Sequence, residues 1–88
     1  MAKFIVCEVA PLRGSHLKYE DMRIVAINTD SIDMLHQDIF QVENGDGSID
    51  EQVGMELFSS DLKYGKDSRL IIMMDYGKFM KEISNEND

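Results

Sequence analysis

Nine carboxylate side chains gather in the middle of the chain with no basic residue among them. From Ile24 to Leu62, a stretch of 39 residues, there is no lysine or arginine. The acidic residues in this stretch are Asp30, Asp33, Asp38, Glu43, Asp46, Asp50, Glu51, Glu56 and Asp61. The flanks carry nine basic and eight acidic residues, so the whole net charge of −8 arises in this one segment. Such a block creates a negative potential that attracts cations or a basic surface.

The charge favours a basic protein as the partner and disfavours nucleic acid or an anionic membrane surface. Binding to nucleic acid is driven by lysine and arginine that neutralise phosphates and release counterions. In size, acidity and lack of catalytic motifs, the chain resembles in general character the nucleic-acid-mimicking inhibitors that phages use against restriction or CRISPR enzymes. That resemblance implies a small viral anti-defence protein whose nine acidic residues dock on a basic nucleic-acid-binding protein. The alternative is a solvated acidic face that keeps a small protein soluble.

A second function follows from one local motif. The run Asn44-Gly45-Asp46-Gly47-Ser48-Ile49-Asp50 resembles positions three to nine of the calcium loops of EF-hands and dockerins. The resemblance implies Asn44, Asp46 and Asp50 as ligands, Gly47 as the turn and Ile49 as the buried residue. The first and twelfth ligand positions fall on Val42 and Val53, which cannot coordinate a cation. A calcium-responsive module is therefore the runner-up, and an Asn-Gly turn that leads into a capped helix is the structural alternative.

No complete set of catalytic residues accompanies the carboxylates. The chain lacks a glycine-rich phosphate loop, a cysteine pair and a His-Glu-x-x-His motif. His16 and His36 fall in different predicted elements, and Cys7 lies in an apolar run that predicts a small buried side chain. We therefore predict a protein that is not an enzyme and holds neither a cofactor nor a catalytic metal.

The hydrophobic pattern predicts three strands and two or three helices. The strands are expected at 3–9, 22–28 and 69–74, where β-branched and other apolar residues dominate. Ile32, Leu35, Ile39 and Val42 recur at helical spacing, and Ser48 with Glu51 forms a capping box for a second helix. Phe79, Met80 and Ile83 predict a short terminal helix. The expected fold is α+β, with a small three-stranded sheet and the helices packed on one face. A β-hairpin over 40–53 is the alternative that Asn44-Gly45 supports.

The length of 88 residues predicts one compact domain whose polar tail, 84–88, frays. The expected middle helix carries a second apolar side, formed by Met55, Phe58 and Leu62, which predicts a partner contact or a homodimer contact. A structural dimerisation subunit is therefore a third possible function. The single cysteine and the lack of a signal-peptide pattern predict a cytoplasmic protein, and no apolar run is long enough to span a bilayer.

Overall fold

The computed structural model describes residues 4–59 and 69–85. Within these ranges, six strands form one mixed sheet, followed by one helix. The strands are β1 Phe4–Leu12, β2 His16–Lys18, β3 Arg23–Asn28, β4 Met34–Glu43, β5 Ile49–Phe58 and β6 Arg69–Ile72, and the helix is α1 Tyr76–Asn85. Short 3-10 turns precede β3 and β4. The expected three-stranded sheet with two or three helices on one face is therefore wrong.

The strands lie in the order β2-β4-β5-β6-β1-β3. The β2–β4 pair is parallel and the other pairs are antiparallel. The three strands predicted from apolar runs correspond to β1, β3 and β6, which are neighbours in this order. The terminal helix is also present as α1. The errors lie in the acidic middle of the chain and in the short β2, which falls in a segment expected to be a loop.

Strands β4 and β5 replace the two helices expected in the acidic segment. Their register runs from Met34 opposite Phe58 to Glu43 opposite Ile49, and they form a long hairpin. A hairpin here is the alternative stated for 40–53, but the observed strands extend well beyond that range, from residue 34 to residue 58. The spacing of apolar residues wrongly predicted a helix because Leu35 and Ile39, which are four residues apart, lie on one side of a strand as well as on one side of a helix. Pairing over ten residues on each strand satisfies the backbone groups that a helix would have satisfied internally.

One face of the sheet is covered by α1 and holds the larger core. We call it the helix-covered face; its buried side chains include Ile5, Cys7, Val9, Met55 and Ile72, and Phe79 of α1 packs among them. Burial raises the pKa of the Cys7 thiol to about 11, which agrees with its expected role as a small apolar residue.

The position of α1 is fixed at its start. Asp75 caps the helix, because its Oδ1 accepts a hydrogen bond of 2.7 Å from the backbone N–H of Lys78. The backbone N–H of Tyr76 donates to Oε1 of Gln37 on β4 at 2.6 Å. The helix thus begins beside the β4–β5 hairpin. Among the described residues, no helix combines the length and the apolar character that crossing a membrane requires.

The opposite face of the sheet holds a second, smaller core. Only residues 13–15 separate β1 from β2, although β2 pairs with β4 at the far edge of the sheet. The sheet must therefore curl until β2 meets the end of β1, where Arg13 and His16 form an isolated bridge. Gly14, with φ of 66°, provides the left-handed residue of this connection. The curl buries a cluster made of Ala10, Leu17, Phe40, Val42 and Ile71.

Gly54 allows the two neighbours of β5 to close over it. A Cβ atom at this position would lie 2.8 Å from Cγ2 of Ile71, 3.1 Å from the carbonyl oxygen of Ile72 and 3.2 Å from Cδ2 of Phe40. Carbon atoms at optimal contact are about 3.5–4.0 Å apart. The smaller core therefore depends on the missing side chain.

Substituting Gly54→Ala should destabilise the fold. The added methyl group displaces Ile71 or Phe40, and overpacking of this kind costs about 1–3 kcal/mol. Gly45→Ala is the matched control, because a Cβ there meets nothing within 4 Å. Urea unfolding followed by circular dichroism measures both. Equal midpoints for the two variants would contradict the packing described for Gly54.

Candidate functional site: the acidic hairpin

Most of the predicted acidic residues lie on the hairpin formed by β4, its turn and β5. Six of the nine fall between Met34 and Phe58. They are Asp38, Glu43, Asp46, Asp50, Glu51 and Glu56. Asp30 lies in the 3-10 turn before β4, and Asp33 directly precedes β4. Asp61 lies outside the described residues.

The hairpin presents carboxylates on both of its faces. Residues opposite each other in the register share a face, so Glu43 and Glu51 point to the same side as Gln37 and Met55, the helix-covered side. Glu43 and Glu51 are diagonal neighbours, a relation that separates residues by about 7–8 Å. Asp38 and Asp50 point to the opposite side. The expected acidic helical face is therefore an acidic ribbon, charged on both sides.

These four carboxylates have no cationic partner within the part of the chain that the structure describes. The ion pairs found there join Arg13 to Asp21 and Arg69 to Glu56. Asp38 and Asp50 instead accept neutral hydrogen bonds, from the backbone N–H of Ile39 and from the side-chain amide of Asn44.

The outer half of β5 is exposed because β6 ends early. Burial along β5 changes at Gly54, so that 49–53 are exposed and 54–57 are buried. Strand β6 pairs only with Met55, Glu56 and Leu57. After Ile72 the chain turns, with the N–H of Met74 donating to the carbonyl of Ile72 at 2.9 Å, and continues into α1. The outer half of β5 thus has β4 as its only partner among the described strands.

The turn between the strands is held by its own side chains. The N–H of Gly47 donates to the carbonyl of Asn44, and the N–H of Asn44 donates to the carbonyl of Ser48. Gly47 has φ of 88°, whereas Gly45 is not in the left-handed region. This is the pattern of a three-residue hairpin loop that ends in a left-handed residue. The turn signal was therefore correct, although the required glycine is Gly47, the second of the two.

The residues of the proposed calcium loop are engaged within this turn. Oδ1 of Asp46 accepts from the hydroxyl of Ser48 at 2.6 Å and from its N–H at 2.9 Å, and these bonds lower the pKa of Asp46. Asn44 directs its NH2 group, a donor and not a metal ligand, at Asp50 and Ser48. No group of three or more His, Cys, Asp or Glu side chains in 4–59 and 69–85 is arranged to hold a metal ion. A calcium titration remains the direct test.

Glu56 differs from the other acidic residues because it is buried and paired. Its Oε1 lies 2.5 Å from Nη2 of Arg69, and its Oε2 accepts from Nε of the same guanidinium at 2.6 Å. The hydrogen bonds from Arg69 are the main cause that lowers the pKa of Glu56, and burial works against them. This carboxylate is therefore buried and paired within the fold, unlike the exposed carboxylates of the hairpin. Sequence gave no signal for the pair, because Arg69 lies outside the acidic segment.

The structure separates Met55 from Phe58, two of the three residues of the expected apolar interface. Met55 is fully buried in the main core. Phe58 is partly exposed on the opposite face beside the exposed Met34, and Leu62 lies outside the described residues. The hairpin also exposes Ile39, Ile49 and Val53, at 60%, 50% and 42% exposure. These three residues share the helix-covered side with Glu43 and Glu51, beyond the part that α1 covers.

Two further features were weighed as chemical sites. A shallow groove of about 290 Å³ lies beside the hairpin turn and is lined by Lys18, Tyr19, Glu20, Glu43, Asn44, Gly45 and Gly47. Its charged groups are a lysine and two carboxylates. Oγ of Ser15 lies 2.8 Å from Nδ1 of His16, but both residues are exposed chain neighbours and no described carboxylate orients the ring. Neither feature forms a catalytic arrangement.

Comparison of the chain with models of protein families, with curated proteins and with solved structures finds no match to any of the three. Functional inference therefore rests on the residues themselves.

Substituting each turn glycine in turn should show which of the two is required for the backbone conformation of the turn. Gly47→Ala places a Cβ in a left-handed conformation, which costs about 1–2 kcal/mol. Gly45→Ala should change stability little, because its backbone is ordinary and the space is open. Thermal unfolding of both variants is the measurement, and a larger loss for the Gly45 variant would contradict the turn geometry.

Breaking the Glu56–Arg69 pair should destabilise the fold in a pH-dependent way. Arg69→Met leaves a buried carboxylate without its partner, and we expect a loss of about 1–3 kcal/mol at pH 7, since half of the arginine side chain is exposed. Because the pKa of Glu56 is lowered in the folded state, the contribution of the pair is present above the unfolded pKa and is lost as pH falls through the folded pKa. The difference in the free energy of unfolding between the Arg69→Met variant and the parent protein should therefore become smaller below about pH 4.5.

Arg13→Met is the matched control for this measurement. It removes the same group from a more exposed ion pair with Asp21, so a loss of about 0–1 kcal/mol is expected. Urea unfolding at several pH values gives both results. A loss for Arg69→Met that stays constant between pH 7 and pH 3 would exclude the charge of Glu56 as its cause.

Proposed function

We propose that this protein is a non-catalytic binding protein whose acidic hairpin enters a basic, nucleic-acid-binding cleft of another protein and competes with nucleic acid there. The observation that carries the proposal is the distribution of Asp38, Glu43, Asp50 and Glu51 over both faces of one hairpin, where none of them forms a described ion pair. A flat basic patch would engage one side only. A cleft with basic walls, such as a nucleic-acid channel, would engage both.

The spacing of charges along the ribbon supports this choice of partner. An antiparallel strand rises about 3.4 Å per residue, and a DNA strand carries one phosphate per 3.4 Å of helix axis. Carboxylates on one or both strands of a hairpin can therefore fall near positions that phosphates would occupy. Paired strands also hold those positions more rigidly than a loop would.

The apolar residues of the ribbon supply a contact that charge alone does not. Ile39 and Val53 oppose each other in the register and are both exposed. Burying such a pair in a partner would add affinity that salt does not screen, while the carboxylates accelerate association and select a basic surface.

The test uses affinity capture from a lysate of the source cells, followed by release with a 20-base-pair duplex DNA. A protein that binds the hairpin through its nucleic-acid site should be released by the duplex and also by high salt. The released protein is then purified, and its affinity for the chain is measured by fluorescence anisotropy.

Neutralising the ribbon should weaken this binding without unfolding the chain. The triple variant Asp38→Asn, Glu43→Gln and Glu51→Gln removes three carboxylates that form no described ion pair, and exposed charge pairs contribute about 0.2–1 kcal/mol each, so we expect a loss of roughly tenfold.

The control removes two charges away from the hairpin, by Glu8→Gln and Glu82→Gln, and is compared with the double variant Glu43→Gln and Glu51→Gln. If both double variants weaken binding equally, net charge and not the hairpin is responsible. If duplex DNA fails to release the captured protein, the partner site is not a nucleic-acid site. Either result contradicts the proposal.

A further inference from the structure

The outer half of β5 is an open edge of the sheet. From Ile49 to Val53 this strand pairs with β4 on one side, and no described strand pairs with it on the other. Exposed edges are usually short, or protected by proline, lysine or a bulge. Segment Ile49–Val53 contains neither proline nor lysine and continues, without interruption, into the part of β5 that pairs with β6.

The backbone groups that face this edge can be assigned from the ends of the hairpin. The carbonyls of Ser48 and Phe58 both accept hydrogen bonds from the β4 side, from Asn44 and Asp33. Backbone groups alternate in direction along an antiparallel strand, so even-numbered residues of β5 face β4. The N–H and C=O groups of Ile49, Glu51 and Val53 therefore point outward along the open edge.

The side chains beside these groups define what could pair there. On the helix-covered side an added strand would meet Ile49, Glu51 and Val53, two exposed apolar residues around one carboxylate. On the other side it would meet Asp50 and Gln52. The complementary segment alternates basic residues with β-branched or other apolar residues, because cross-strand pairs of opposite charge and of apolar side chains are favourable.

A second copy of the chain is a poor occupant of this edge. An antiparallel pair related by two-fold symmetry and centred on the segment would place Glu51 directly opposite Glu51. Moving the centre by one residue towards Ile49 would place Asp50 opposite Asp50, and moving it towards Val53 would place Gln52 opposite Gln52. Like charges directly opposite each other are destabilising, and each copy carries a net charge of −8.

We propose that segment Ile49–Val53 binds an extended basic segment of the partner protein as an additional antiparallel β-strand. This inference rests on the proposed function and names how the partner is held. Main-chain hydrogen bonds to Ile49, Glu51 and Val53 supply affinity, and Asp50 and Glu51 select for basic residues, as in other cases of strand addition.

The probe is an acetylated and amidated nine-residue peptide that alternates lysine and valine. Titration into the ¹⁵N-labelled protein should shift the amide signals of Ile49, Glu51 and Val53, and should slow their hydrogen exchange. The control peptide has the same sequence with an N-methyl group on every residue, which removes the backbone donors along both edges while keeping every charge. It should bind at least tenfold more weakly.

A pair of variants tests the same bonds from the side of the protein. Glu51→Pro and Glu51→Ala both remove the carboxylate, but only proline also removes the outward N–H, at an edge position where proline is tolerated. We expect Glu51→Pro to bind the lysine–valine peptide at least tenfold more weakly than Glu51→Ala. Ile49→Pro against Ile49→Ala repeats the comparison at the first residue of the strand, should the first variant fail to fold.

The outcomes separate this inference from the proposed function. If N-methylation and both proline variants leave the affinity for the peptide unchanged, strand addition is excluded. Release of the captured partner by duplex DNA would then still support an acidic hairpin in a basic cleft. If the edge binds the peptide but duplex DNA releases no captured protein, the edge inference stands for this peptide class and the nucleic-acid site is excluded. A dimer that forms without peptide and blocks its binding would overturn the inference in favour of a second copy.

Discussion

Strand β5 pairs with β4 over its whole length but with β6 over only part of it, and the rest of the architecture depends on this difference. Three residues, Met55 to Leu57, are held between β4 and β6, and they are buried. From Ile49 to Val53 the strand pairs with β4 alone among the described strands, because the chain leaves the sheet after Ile72 to start α1. The same change of direction therefore closes the main core and leaves this half of β5 exposed. A longer β6 would pair with it.

The two cores use β5 in different ways. On the helix-covered side, Met55 and Leu57 pack with Phe79 of α1 in an apolar cluster. On the opposite side, the same strand contributes a glycine and the carboxylate of Glu56, whose charge is neutralised by Arg69. Replacing Gly54 with any larger residue would separate Phe40 from Ile71, and the curl that brings β2 against the end of β1 would lose its packing. Small size at position 54 and charge pairing at position 56 are thus both conditions for the curled sheet.

Sequence patterns predicted the apolar strands β1, β3 and β6 and the helix α1, because each is marked by a local pattern of apolar residues. They failed for β4 and β5, where the deciding interactions are between strands. Leu35 and Ile39 fit a helix, and Ser48 with Glu51 fits a capping box, yet a cross-strand ladder of ten residues on each side outweighs both signals. Strand β2, three residues long, is defined only by its partner β4 and has no pattern of its own.

For the candidate site, the sequence located the acidic segment but could not sort its members. Glu56 and Glu51 look alike in the sequence, but Glu56 lies beside β6 and next to Arg69, whereas Glu51 lies beyond the end of β6 on the other face. Met55 is buried and Val53 exposed because only Met55 lies beside β6. The carboxylates of Asp50 and Glu51 bear on both proposed uses of the open edge. In two of the registers in which two copies of the edge could pair, one of these carboxylates faces its own copy, and such a contact is unfavourable. The same carboxylates would form favourable cross-strand pairs with the basic segment that we propose as the added strand.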